Sequence, residues 1–218
     1  MCAIHIVHII HIYILFGFLA RQQVITFLMI GCFSPTMPLY FITGNKNKFA
    51  EAQSIYPDLK QLDIDLTEIQ ETDARKVIAH KVREAFQHHP GPFVVEDIAL
   101  HFDALNGLPG TLIKWFLKHL SLEQLAAFGS TQNKAGAEAR AIIGYAKNPQ
   151  EIHFFEGSIK GTVVMPRGKT GFGWDPLFVP EGHSSTFAEM GVEEKNKISM
   201  RKIAFQKLAE FLGESHTR

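Results

Sequence analysis

Apolar residues fill positions 2 to 33 almost without a break. From Leu39 onward they separate into short β-type runs and longer stripes of helical period. Leu39–Thr43 (LYFIT) reads as a strand and Gly44-Asn45 as a tight turn; a helix follows with Phe49, Ala52 and Ile55 or Tyr56 facing inward. Leu62–Ile69 alternates as a second strand, through Leu62, Ile64 and Leu66, and brings Glu68 to its end. Asp73 is placed to cap a helix running to Phe86, with Val77, Ile78, Val82 and Ala85 on its apolar stripe and Lys81 at the border. The run Phe93–Val95 completes a β-α-β unit, so the sheet is expected to be partly parallel. That run ends in Glu96 and Asp97, which are expected where the strand leaves the sheet, the usual place for chemistry in α/β proteins.

The second half is patterned differently. Gly107-Leu108-Pro109-Gly110 is a turn, and behind it Lys114 sits in a short helical pattern among Leu112, Ile113, Trp115, Phe116 and Leu117. Ser121–Phe128 reads as a helix capped by Ser121, and Gln132–Glu138 as a loop. Ala139–Ala146, Ile152–Phe155 and Ser158–Val164 read as three short strands parted by turn residues, Gly157 among them. They form an antiparallel meander expected to make a second lobe. Glu193–Lys197 reads as a charged loop, and Ser199–Leu212 as an amphipathic helix capped by Ser199.

Composition narrows the function. The 218 residues, 46% hydrophobic and 20% charged, suffice for one sizeable domain or two lobes sharing a cleft. Lysines plus arginines equal the acidic residues at 22 each, so there is no global electrostatic case for nucleic acid or an anionic membrane. Both cysteines, Cys2 and Cys32, precede the patterned region, which leaves it without disulfide, thiolate metal site or cysteine nucleophile and fits a reducing, cytoplasmic setting. Residues 1–36 read as an apolar extension in which His5, His8 and His11 are incidental. The preferred reading places the working domain at 37–218, starting from Met37, with a membrane anchor in the extension as second choice.

Three features carry chemistry. Lys46 and Lys48 open a helix at its positive end, as Arg201 does later; cations there ask for an anion, and Gly44 lets one approach the backbone. Glu96 and Asp97 repel unless a cation such as a divalent metal lies between them. The loop Phe172-Gly173-Trp174-Asp175-Pro176 offers two aromatics that could grip a flat ring, unless both are ordinary core residues. Gly168-Lys169-Thr170 is not a P-loop, because Val163 stands where the motif needs glycine and no helical pattern follows.

These pieces together resemble the inosine triphosphate pyrophosphatase family. The resemblance rests on Thr43–Lys48, Glu96-Asp97 with Ala104–Gly110, Lys114-Trp115-Phe116, Phe172–Pro176, Thr186–Met190 and Glu194-Lys195-Asn196, in that order, and covers Leu39 to the C-terminus. It implies an elongated α/β fold: a two-lobed mixed sheet with flanking helices and a central nucleotide cleft, in a homodimer. It also implies Mg²⁺-dependent hydrolysis of ITP, dITP and XTP to monophosphate and pyrophosphate. Carried over by position, Thr43, Gly44, Asn45, Lys46, Asn47 and Lys48 form the triphosphate cradle. Glu68 and Asp97 are the metal carboxylates, and Lys81, with His80 as its rival, joins Lys114 on phosphate. Phe172, Gly173, Trp174, Asp175, Lys195, Met200 and Arg201 surround the base, and Asp97, or Glu96 beside it, activates water.

Two positions depart from the family pattern. Met200 stands where histidine is usual, and Ile98 where a hydroxyl residue is usual. Methionine donates no hydrogen bond, so these positions bear on base selection. They also leave a competing reading, a non-catalytic purine nucleotide-binding or sensing protein.

Overall fold

The computed structural model describes residues 38–131 and 134–213. The readings placed on residues 1–36, on Met37 and on both cysteines lie outside the described residues.

One mixed sheet of seven strands organises these residues, in the order β2-β1-β3-β5-β6-β7, with β4 added on β3. The strands are β1 (Tyr40–Ile42), β2 (Lys60–Leu62), β3 (Phe93–Phe102), β4 (Pro109–Gly110), β5 (Gly136–Asn148), β6 (Glu151–Val163) and β7 (Phe178–Pro180). β1 pairs in parallel with β2 and β3, as the β-α-β reading requires, whereas β5, β6 and β7 follow antiparallel. β3 is thus the seam: parallel to β1 on one side and antiparallel to β5 on the other.

Six helices flank the sheet among the described residues: α1 (Lys46–Ile55), α2 (Ala74–Ala85), α3 (Ile113–His119), α4 (Leu122–Gly129), α5 (Phe187–Ile198) and α6 (Met200–Phe211). Their starts follow the polar caps. Asn45, Asp73 and Ser199 accept from first-turn amides, and Ser121 and Thr186 form complete capping boxes with Gln124 and Glu189.

Alternation along β3 separates two cores. Val94, Leu100 and Phe102 face Phe41 and the α6 residues Ala204, Phe205 and Leu208. Phe93 and Val95 face Ile78, Val82 and Ala85 of α2. Glu96 therefore belongs to the α6 face and Asp97 to the α2 face.

Several boundaries differ from the sequence reading. The run expected over Leu62–Ile69 is a strand only to Leu62; its apolar Ile64 and Leu66 pack against the α2 core from irregular chain instead. Glu96 and Asp97 do not end a strand, because β3 continues to Phe102 on its pairing with β5. They lie just past the end of β1, whose register with β3 stops at Phe41 opposite Val94. The three short strands of the meander are two long ones that extend the same sheet, since Gly157 is paired inside β6 opposite Ala141. Glycine is needed there for space: a side chain would meet the Met200 carbonyl and come within 2.8 Å of the Ala204 amide on α6. The charged run Glu193–Lys197 is not a loop but the last turns of α5.

Candidate active site

A cleft of about 550 Å³ opens where β1 stops, which is the usual size for a small-molecule site. The residues expected to bind ligand converge on it, with two exceptions: Thr43, Gly44, Asn45 and Lys48 line it, but Lys46 and Asn47 do not. The turn is fixed by short polar contacts. Asn45 N donates to Thr43 Oγ1 at 3.1 Å, and the Asn45 side chain accepts from Asn47 N and Lys48 N at 3.0 and 3.1 Å.

One end of the cleft is built from three elements. Glu68, on the irregular chain after β2, lies 2.8 Å from Lys81 Nζ and 2.5 Å from Lys114 Nζ. Lys81 Nζ, on α2, also stands 3.4 Å from Asp97 Oδ1. The loop holding Glu68 is pinned to the segment before α3 by Thr111 Oγ1, which donates to Glu71 O at 2.5 Å. His80 does not line the cleft; its Nδ1 lies 4.0 Å from Glu84. Of that pair, the structure brings Lys81 to the carboxylates.

The charges respond to these neighbours. Burial pushes the Glu68 carboxyl up, but Lys81 and Lys114 outweigh it and hold its pKa at about 2. Asp97 is pushed up by burial, only partly offset by Lys81 and Lys48. Burial pushes Lys81 down, and the Asp97 and Glu68 carboxylates more than reverse this. Asp97 Oδ2 is buried and has no hydrogen-bond partner.

The other end holds a buried charge cluster. Arg201 grips Glu96 through Nε and Nη2 at 2.7 and 3.0 Å, and its Nη1 donates to Glu51. Lys195 Nζ donates to Glu51 at 2.9 Å and to Asp175 at 2.7 Å. Asp175 also accepts from Phe172 N at 2.9 Å, which closes the loop around Gly173. Burial raises the Asp175 pKa, while Arg201 and Lys48 overcome burial to lower that of Glu96. Lys48, 3.5 Å from Glu96, reaches between the two ends, and burial pushes its ammonium pKa down.

Two expectations change here. Glu96 and Asp97 do not share a cation between them, because neighbours on a strand project to opposite faces; Glu96 is neutralised by Arg201 and Asp97 faces Lys81. Phe172 and Trp174 do not make a pair of gripping aromatics. Trp174 contributes to the cleft wall but is buried edge-on against Phe178, a core aromatic, whereas Phe172 lies half-buried under Lys195 Nζ at 4.5 Å. Met200 and Ile98 both line the cleft as apolar wall.

Glu51 was not legible as a site residue. It is 4% exposed and binds both base-end cations. Its one sequence signal is position: it lies four residues before Ile55 on the inward stripe of α1, where a carboxylate needs a partner.

Comparison with known proteins places this site in a family. The Ham1 family profile matches residues 39–211. The inosine triphosphate pyrophosphatase of Schizosaccharomyces pombe is 43% identical over 178 residues, covering 80% of this chain and 94% of that protein. That of Saccharomyces cerevisiae is 40% identical over 190 residues, covering 81% and 96%. Among solved structures, a HAM1 protein from Coxiella burnetii superposes with a TM-score of 0.69 at 27% identity, covering 81% of this chain and 98% of that one. Profile, relatives and solved fold agree over the same span, and the chain belongs to the Ham1 family.

Proposed function

We propose that this chain is a Mg²⁺-dependent nucleoside triphosphate pyrophosphatase that hydrolyses ITP, dITP and XTP to the monophosphate and pyrophosphate. The observation that carries the reading is the division of one cleft. Glu68, Asp97 and two lysines form an end suited to cation and phosphate, and Phe172, Lys195 and Arg201 form an end suited to a base. Relatives covering nearly their whole length with this chain carry the name inosine triphosphate pyrophosphatase, which supports the same substrate class.

The donor set fits Mg²⁺. Among the described residues no cluster of three or more His, Cys, Asp or Glu is found, so an all-protein metal cage is not what the cleft offers. Mg²⁺ commonly uses one or two carboxylates and completes its shell with water and substrate phosphate. Glu68 and Asp97 would hold it, and the unpartnered Asp97 Oδ2 is the oxygen with capacity to spare. When bound, Mg²⁺ would neutralise phosphate charge as pyrophosphate leaves.

The side chains account for the remaining steps. Asp97 orients a water and takes its proton as the water oxygen bonds to the α-phosphorus and the bond to the bridging oxygen breaks. Glu96, with both oxygens held by Arg201, keeps the base end in place instead. Lys48, Lys81 and Lys114 contact the phosphates, with Thr43, Gly44 and Asn45 as the backbone cradle. Lys195 has three N–H donors and gives two to carboxylates; Arg201 has five and gives three. The donors left over are suited to a 6-keto oxygen, and a 6-amino group would face like partners.

We also propose that the enzyme works as a cytoplasmic homodimer without nucleic-acid partners, with residues 37–218 as its catalytic domain. No helix among the described residues is long and apolar enough to cross a membrane. Two carboxylates retained at the phosphate end weigh against the binding-only reading, because a sensor needs no general base. Product analysis tests the proposal: ITP should give the monophosphate and pyrophosphate in equal amounts, and release of the diphosphate and inorganic phosphate would contradict it.

A further inference from the structure

The cleft is not positively charged, although its ligand is strongly negative. Its lining cations are Lys48, Lys81, Lys114, Lys195 and Arg201; its lining carboxylates are Asp65, Glu68, Glu71, Glu96, Asp97 and Asp175. Five cations thus face six carboxylates, before Glu51 is counted behind them. At the phosphate end both lysines are already committed. Lys81 Nζ sits between Glu68 at 2.8 Å and Asp97 at 3.4 Å, and Lys114 Nζ is on the other Glu68 oxygen at 2.5 Å. A carboxylate neutralised by a lysine is a poor metal ligand, and a lysine neutralised by a carboxylate is a poor phosphate ligand.

Resting on the pyrophosphatase reading above, we propose that Lys81 and Lys114 are internal counterions that exchange partners. They leave Glu68 and Asp97 when those carboxylates take a divalent cation, and move onto the triphosphate. The exchange makes metal and nucleotide each raise the affinity of the other, and it disfavours entry of a nucleotide without its metal. Lys81 is the principal counterion, because its side chain is 7% exposed and touches both carboxylates. Lys114, 71% exposed and in water, holds only Glu68 and contributes less.

Mn²⁺ binding to the full chain without nucleotide, followed by electron paramagnetic resonance, tests this apart from turnover. Lys81→Gln should bind Mn²⁺ at least about tenfold more tightly than the wild type, and Lys114→Gln about two- to fivefold more tightly. Lys147→Gln removes the same charge at an exposed position outside the cleft and should change nothing. With metal present, Lys81→Gln should also bind a non-hydrolysable ITP analogue more weakly, so the mutual enhancement between the two ligands shrinks. Should Lys81→Gln fail to fold, the exposed Lys114→Gln carries the test through the same readouts. Mn²⁺ binding that Asp97→Asn abolishes, but that Lys81→Gln and Lys114→Gln leave unchanged or weaken, would overturn the exchange and keep the metal reading. No Mn²⁺ binding by the wild type or either lysine variant would overturn both.

Discussion

Arg201, in the first turn of α6, holds Glu96 of β3 through both carboxylate oxygens, with Nε at 2.7 Å and Nη2 at 3.0 Å. Both side chains are essentially without solvent, and removing Glu96 leaves buried Arg201 with Glu51 as its remaining carboxylate. Glu96→Gln should therefore cost about 3–5 kcal/mol in urea unfolding at neutral pH. The pH dependence has a definite sign. The folded-state pKa of Glu96 is lowered, so its contribution is complete above the unfolded value of about 4.3 and is lost as pH falls below it. The gap between wild type and Glu96→Gln should narrow from about pH 6 to about pH 3, and a constant gap would deny the ion pair its role.

Asp97 presents the opposite case. Burial raises its folded-state pKa, so stability falls as pH rises through the window between its unfolded and folded values. Asn cannot ionise, and Lys81 keeps Glu68 at 2.8 Å. Asp97→Asn should unfold at an equal or higher urea concentration at neutral pH while kcat falls at least about 10²-fold. Normal turnover would remove Asp97 from the mechanism.

Gly157 links the sheet to the base end. Any side chain there would push against the Met200 carbonyl, and Arg201 follows directly. Gly157→Ala should destabilise the fold by about 1–3 kcal/mol and raise KM for ITP, measured by urea titration and steady-state kinetics. An unchanged KM would mean that α6 can shift without moving Arg201.

Met200 is a buried part of the cleft wall and donates no hydrogen bond. Met200→His adds a donor beside Arg201, so the ratio of kcat/KM for ITP over ATP, whose 6-amino group cannot accept from it, should rise about tenfold. An unchanged ratio would place base selection elsewhere.

Legibility in the sequence followed how local each signal was. The helix starts at Asn45, Asp73, Ser121 and Ser199 could be read because a cap acts within one turn. The β-α-β unit followed from periodicity, and the cleft residues from motif resemblance. The run holding Lys195 reads as a charged loop because its neighbours are charged; Lys195 is instead buried on α5, where Glu51, 144 positions away, and Asp175 meet it. The sequence reading ends the strand at Glu96 and Asp97 because two adjacent carboxylates interrupt its apolar run. What carries the strand onward is pairing with β5, which no local pattern records. Gly157 read as a turn because an unmet need for turns and an unmet need for space look alike in one chain.

The most direct test of the account is pyrophosphate release by the purified full chain with Mg²⁺ on ITP, XTP, dITP, GTP and ATP side by side. Fast release from the first three, with little from GTP and ATP, is the predicted result. No release from any of them, by a folded protein that still binds purine nucleotide, would contradict it and leave a binding protein in its place.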